Sequence, residues 1–447
     1  MVIVESSGLP QLFPILGRPA DFNHRPHRSR RHYSRAADTY SVCSVWSVVK
    51  VRGPTPAPRR MISRILLVAA LTTTTAGAQS KAIRLTSKVL GEERILHVAL
   101  PPNYGVAKEK YEVIYLLDGH TKQFFDVTVA AAGYDLLGDL HDYALPHQIV
   151  VGVEQKNRSE DLARNAEAFT KYLVTEVVPY IEREYRTNGY RTIIGHSLGG
   201  RFAINTICRA PNVFASVIAM SSAPGDSTTF GAVTDCLKQD WAANKTRLHQ
   251  LAFGTGEKET RQLDGIQKLK AFLAANAPPN FRWTVLAGDG LIHIETPYEM
   301  IPSGIRFTQD KTVWEMPRAT ADSIIDGMGD SERILNAWYK TLSTRMGASF
   351  DPSNKWLRIA AEALLGKREY QAAVGAGRRL VAAYPEDLAG YTLLANAYIG
   401  SDDRESAKRT LADGLRLLDR LELFDTTERE GRRQLMKSEL DRISRLP

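Results

Sequence analysis

Short apolar runs recur from Arg94 to Gly288 with helical or polar stretches between them, and this alternation constrains the fold more than any other feature of the chain. "RILHVALP", "YEVIYLLDG", "HQIVVGVE", "RTIIGHS", "ASVIAMSS", "LHQLAFGTG" and "FRWTVLAG" read as strands. Several are continuously apolar, as strands buried on both faces are. Between them, "AFTKYLVTEVVPYIEREY" and "GRFAINTICRA" carry helical spacing, and Pro211 stops the second. Strand alternating with helix over about 230 residues predicts an α/β fold on a doubly wound, mostly parallel sheet. Sites in such sheets lie beyond the C-terminal ends of the strands.

Ser197 falls at such an end. In "RTIIGHSLGGRFAINTICRA" it stands between an incoming strand and an outgoing helix, with Gly195 and Gly199 two residues to either side. A Gly-x-Ser-x-Gly match alone arises by chance about 0.1 to 0.2 times in a chain of this length. The strand-turn-helix setting sharpens it, because a nucleophile elbow needs glycines where side chains would clash in the bend, and Gly200 lets the helix approach the sheet. A serine hydroxyl is a poor nucleophile without a base. Two histidines follow Ser197, His249 and His293. His249 precedes its strand and falls at the wrong edge. His293 follows "FRWTVLAG" through "DGLIHIETP" and shares the edge of Ser197, so it is the expected general base. For the acid that holds the base, the loop after "LAFGTG" offers Glu257 and Glu259, with Asp264 further on. Glu257, nearest the strand end, is the expected member of the triad, in the order Ser, acid, His. The backbone N–H of Leu198 and of His120, after "YLLDG", are the expected oxyanion hole. Arg158 either binds an anionic substrate or pairs with a surface acid.

The formal charge of +8 resides almost wholly in residues 1–60, which carry ten Lys or Arg against three acids. The rest is nearly neutral, so charge gives no argument for nucleic acid. That leader mixes Pro, His, Ser and Arg without periodicity and is expected to be disordered. It precedes "RRMISRILLVAALTTTTAGAQS", whose basic start, short apolar core and Ala76-Gly77-Ala78 site read as a secretory signal over 61–78. Met61 is then the expected initiator, residues 1–60 an over-extended start, and the mature chain secreted or periplasmic. No stretch of the mature chain qualifies as a membrane span. Of three cysteines, Cys43 lies in the leader, and Cys208 and Cys236 form either one bridge or two buried thiols. No cysteine spacing resembles a metal site, and no metal or cofactor is implied.

After about residue 310 the chain reads as helices, a linker over 311–350 and a repeat region over 351–447. "ALLGKREYQAA" is echoed by "AYIGSDDRESA", with Ala363/Ala397, Gly366/Gly400 and Ala373/Ala407 each 34 residues apart. That is the tetratricopeptide period, and small residues there let paired helices pack closely. Two units are fewer than the roughly three needed to stand alone, so the tail is expected to pack on the α/β domain, 79–310.

The segments "YEVIYLLDG", "FTKYLVTEVVPYIEREYRTNGYRTIIGHSLGGRFA" and "HIETPYEMIPSGIRF" resemble the esterase D-like family of alpha/beta hydrolases, which includes siderophore esterases and mycolyltransferases. The resemblance covers about residues 82–310. It implies a triad at Ser197, His293 and a glutamate at the position of Glu257, with an amide at His120 completing the oxyanion hole. Some siderophore esterases work with a Ser-His dyad. "NRSEDLARNAEAF" resembles the family's Arg-x-x-Asp-Leu stretch but lacks its Thr-Pro and glycine-rich continuation. The tail resembles the tetratricopeptide-like appendage of some secreted bacterial members. The expectation is a serine esterase acting on a small-molecule ester, siderophore-like esters included. Acyl transfer by the same triad and a non-catalytic protein that binds a partner through its tail are the alternatives.

Overall fold

Sheet and helix positions follow from which strands are buried on both sides. The computed structural model describes residues 80–133, 147–222, 227–326, 330–421 and 426–445. The expected leader and signal segment lie outside the described residues. Among the described residues eight strands form one sheet: β1 (Ser80–Ser87), β2 (Glu92–Ala99), β3 (Tyr111–Leu117), β4 (Gln148–Val153), β5 (Thr187–His196), β6 (Ser216–Met220), β7 (His249–Gly254) and β8 (Phe281–Leu286), in the order β1-β2-β4-β3-β5-β6-β7-β8. From β4 to β8 all neighbours are parallel, and β1 and β2 add an antiparallel edge. Every residue of β3, β4, β6 and β7 is buried, which is why those runs are apolar apart from Glu112, Gln148, Ser216, His249 and Gln250 near their N-terminal ends. β1 escaped the sequence reading because "SKAIRLTS" is a polar edge strand in which only Ile83 and Ser87 are buried.

The helices of the α/β part are α1 (Lys122–Ala132), α2 (Ala166–Tyr172), α3 (Val178–Glu184), α4 (Leu198–Arg209), α5 (Ser227–Ala243), α6 (Thr260–Asn276) and α7 (Thr296–Thr308). Strand alternation divides β3 between two cores. Val113, Tyr115 and Leu117 join Phe169, Phe202 and Ile266 of α2, α4 and α6, while Ile114 and Leu116 join Phe125 of α1 and Met300 of α7. The expectation of a doubly wound α/β sheet thus stands. Cys208 on α4 and Cys236 on α5 form a disulfide with Cα atoms 5.3 Å apart, a separation set by helix packing.

Beyond the sheet come α8 (Lys311–Trp314), α9 (Arg318–Ile325), α10 (Ser331–Met346), α11 (Asn354–Gly366), α12 (Tyr370–Ala383), α13 (Leu388–Gly400), α14 (Arg404–Leu418) and α15 (Thr426–Ser444). α13 and α14 begin 34 residues after α11 and α12. Ala373 and Ala407 are buried at equivalent places, and a Cβ on Gly400 would meet Tyr370 Cδ1 at 2.1 Å, so the small residues serve close helix approach. The helical region packs onto the α/β part through Lys108 N–H to Ala383 O (3.2 Å) and Ser349 N–H to Asn188 O (2.7 Å). Among the described residues no helix is long and apolar enough to cross a membrane.

Candidate active site

The chain reverses between β3 and β5, adjacent parallel strands whose onward connections run in opposite directions, and the two loops at their C-terminal ends build the site. Ser197 bridges β5 and α4 at φ 57°, ψ −119°, a left-handed conformation that a non-glycine residue holds only when its surroundings enforce it. Ser197 N–H donates to Met220 O at 2.8 Å. A Cβ on Gly195 would sit 2.2 Å from Gly199 O, and one on Gly200 would sit 2.6 Å from Ser222 Cβ, so both glycines are steric requirements of the bend.

The β3 loop lies against the start of α4: a Cβ on Gly199 would come 3.2 Å from Asp118 Oδ2 and 3.6 Å from Leu117 Cβ. In that loop Gly119 N–H donates to Val153 O (3.1 Å) and Thr121 N–H to Asp118 O (2.9 Å). The His120 amide between them has no partner among the described residues, and its side chain is exposed. Leu198 opens α4, where first-turn N–H groups have no intrahelical acceptor. Both amides expected for the oxyanion hole are thus unspent at neighbouring loop ends.

Arg158 pairs with an acid, the second of its two expected roles. Its guanidinium grips Asp118 with Nε to Oδ1 (2.7 Å) and Nη2 to Oδ2 (3.0 Å), and Nη2 also donates to His196 O (2.8 Å). Asp118 is 5% exposed and sits at φ 57°, so the acid is a buried one rather than a surface one. Arg158 thereby ties the loop after β3 to the turn at Ser197.

His293 follows β8 and leads into α7. Its Nδ1 meets Glu259 Oε1 at 2.5 Å. Its carbonyl oxygen accepts from His196 Nε2 (2.8 Å) and Thr296 Oγ1 (3.0 Å), and the two imidazole rings lie 4.5 Å apart between centroids. His293 is therefore held beside His196, the residue that precedes Ser197. The glutamate expected at His293 was Glu257, but that side chain is exposed and accepts from Gly290 N–H (2.8 Å), and Glu259 meets the histidine instead. The main chain after β7 runs alongside the histidine loop, with Glu257 N–H on Gly288 O (2.8 Å) and Lys258 N–H on Leu291 O (3.2 Å). That pairing turns residue 257 outward, and the chain folds back at Glu259, the cap position before α6. Asp264 pairs with Lys268 instead.

Glu259 is held on every side. Oε2 accepts from Ser221 Oγ (2.5 Å), Thr255 Oγ1 (2.7 Å) and Gly256 N–H (2.8 Å), and Oε1 also accepts from Gln262 Nε2 (2.8 Å). Burial raises its pKa, but the hydrogen bonds from Ser221, His293, Thr255 and Gly256 outweigh that and hold the carboxyl below its ordinary value. It is thus an anion at neutral pH, suited to fix the Nδ1–H tautomer of His293 and steady an imidazolium. Ser221, Thr255, Gln262 and Thr296 were not anticipated. For the three hydroxyl residues the only sequence signal is their place just past a neighbouring strand or at a helix start, in "AMSS", "GTG" and "IETP", and Gln262 carries none.

His196 was also missed as a functional group. It is 8% exposed, and burial first, then the neighbouring His293, depress its pKa to about 4. A folded-state pKa below the unfolded value near 6.5 means the unfolded chain binds the proton first, so the stability is complete above pH 6.5 and lost as pH falls toward 4. Wild-type stability is expected to fall by about 2 kcal/mol from this residue alone between pH 7 and pH 5. Urea denaturation at both pH values checks it. His196→Gln should remove most of that loss, and an unchanged pH dependence in the variant contradicts the assignment.

Around the mouth, Ile292 (40% exposed), Ile294 (65%) and Tyr298 (44%) flank His293. Phe124 stands edge-on to both His196 (5.7 Å) and Tyr298 (6.1 Å). Apolar and aromatic side chains thus stand beside His293, with Glu295 and Glu299 exposed in the same segment.

Comparison with known proteins gives the following. Residues 87–288 match the family described as "Putative esterase". The "Uncharacterized protein YjcH" of Bacillus subtilis (strain 168) is 32% identical over 188 residues, spanning 40% of this chain and 74% of that one. "Ferri-bacillibactin esterase BesA" of the same organism is 40% identical over 57 residues, 12% of this chain and 20% of that one. Among solved structures, an IroE-like serine hydrolase from Shewanella oneidensis matches with TM-score 0.52 at 20% identity, over 66% of this chain and 96% of that one, a likeness of fold.

Proposed function

We propose, from the premise that the chain belongs to this esterase family and is a carboxylic ester hydrolase, that it works through an acyl-enzyme on Ser197. The observation that carries the reading is His293, anchored through Nδ1 to a buried, fully bonded Glu259 and packed beside the elbow. His293 Nε2 takes the Ser197 proton as Oγ attacks the ester carbonyl. The Leu198 and His120 amides receive the oxyanion. The proton then passes to the departing alcohol, and a water, activated by the same imidazole, releases the acid and restores Ser197. Arg158 and Asp118 hold the two loops in register throughout.

The apolar and aromatic side chains beside His293 favour an ester with an apolar or aromatic acyl part. The similarity over 57 residues to a ferri-bacillibactin esterase makes a catecholate siderophore ester the first natural substrate to try. A shared acyl-enzyme has a kinetic signature. With methanol added, phenyl and p-nitrophenyl esters of one acid should give the same ratio of methyl ester to free acid. A ratio that follows the leaving group contradicts the intermediate. Methyl ester dominating at low methanol favours acyl transfer over hydrolysis.

We also propose export, on the signal-like pattern ending at Ala78 and on the Cys208–Cys236 bridge, which an oxidising compartment permits. The exported protein should begin near Gln79, and retention of residues 1–60 in it contradicts this. The helical region, with its pairs at the tetratricopeptide interval, is read as a binding element rather than part of the chemistry.

A further inference from the structure

The helical region closes a cavity on the side of the sheet away from Ser197. The N-terminal ends of β3 and β4 and residue Asn188 of β5 face α8, α10, α11 and α12 across about 610 Å³. That volume lies within the roughly 300–1,000 Å³ of small-molecule sites, which favour seams between structural units. Trp314, Tyr339, Phe350, Trp356 and Tyr384 supply aromatic walls.

Among the lining side chains Glu112 is 4% exposed. Its Oε2 accepts from Gln148 Nε2 (2.9 Å) and Gln309 Nε2 (2.5 Å). Both glutamines are buried, and each keeps an amide oxygen with no partner. Burial pushes the Glu112 carboxyl up to about 7 against those two hydrogen bonds. Among the described residues no cation pairs with it. The lining cations are turned to other acids: Lys110 to Asp351 (3.6 Å) and Arg379 to Glu332 (3.4 Å), while Lys108 is exposed. Glu109, also lining, is half-buried and likewise raised by burial.

A buried carboxyl without a counter-charge, walled by aromatic rings, has the chemistry that recognises an organic cation: the carboxylate supplies charge and the ring faces supply negative potential. A metal ion suits the site less well, since among the described residues no three His, Cys, Asp or Glu side chains converge. We propose that this cavity binds a small organic cation with an apolar body, with Glu112 as its counter-ion and the rings of α8, α10 and α11 as its walls. The site is independent of the ester chemistry, and its test does not read turnover.

Benzyltrimethylammonium titrated into the full chain should quench tryptophan emission saturably, whereas benzenesulfonate, of similar size and opposite charge, should not. Glu112→Gln keeps the shape and the two glutamine contacts and should weaken the response at least tenfold. Trp356→Leu, on α11, should weaken it too, with thermal unfolding of both variants confirming that they fold. Equal affinity in wild type and Glu112→Gln, equal binding of the anion, or no saturable response to the cation each overturns the proposal.

Discussion

Glu259→Gln is expected to lower kcat for a p-nitrophenyl ester by roughly 10³- to 10⁴-fold, while Glu257→Gln leaves it within about twofold. The amide matches the carboxylate in size and keeps much of the network from Ser221, Thr255 and Gly256. Its NH₂ group, though, can face His293 Nδ1 and donate to it. The proton then moves to Nε2, the nitrogen that must accept from Ser197, and the imidazolium loses its nearest anion. KM should change little, because the Glu259 side chain is 8% exposed and both its oxygens are taken up by protein partners. Steady-state kinetics on the two variants side by side decide the matter. A loss under tenfold in Glu259→Gln means that serine and histidine suffice as a dyad. A large loss in Glu257→Gln returns the acid's role to that residue.

Ser197→Ala is expected to cost still more, roughly 10⁵- to 10⁶-fold in kcat, with the fold intact. Alanine carries the same Cβ as serine, so it meets the same strain at φ 57° and should unfold within a few degrees of wild type. The residual rate over water comes from the oxyanion amides of Leu198 and His120 and from substrate binding. Turnover by rigorously purified variant measures it, and a rate near that of wild type removes Ser197 from the chemistry. By contrast, Gly195→Ala acts on the bend itself, since its methyl would meet Gly199 O.

The parts of the site that were legible in the sequence are those enforced by local sterics. The Ser197 elbow demands glycine at 195, where a methyl would meet Gly199 O only four residues on, and the central strands, buried on both faces, are apolar over most of their length. His293 was found because strand direction alone puts it at the same edge as Ser197. Glu257 was expected at His293, where Glu259 stands, because no local rule decides between the two. The choice is made by pairing with residues 288 and 291, more than thirty positions away, and Glu259 is then fixed by hydroxyls from other strand ends. Arg158 illustrates the same limit: its sequence neighbourhood shows a cation, and only the fold supplies Asp118, forty residues earlier. The Cys208–Cys236 choice was likewise open, since it depends on how α4 meets α5. β1 stayed hidden because an edge strand with one wet face carries little apolar pattern.

The central claim is that the Ser197 hydroxyl, activated by His293, becomes acylated. Brief exposure to an activated phosphonate ester, followed by proteolysis and mass analysis, tests it most directly. The account predicts one adduct per chain, located on Ser197, forming far more slowly in His293→Ala and not at all in Ser197→Ala. An adduct on another residue, or labelling of Ser197 at the same rate without the imidazole, would contradict it.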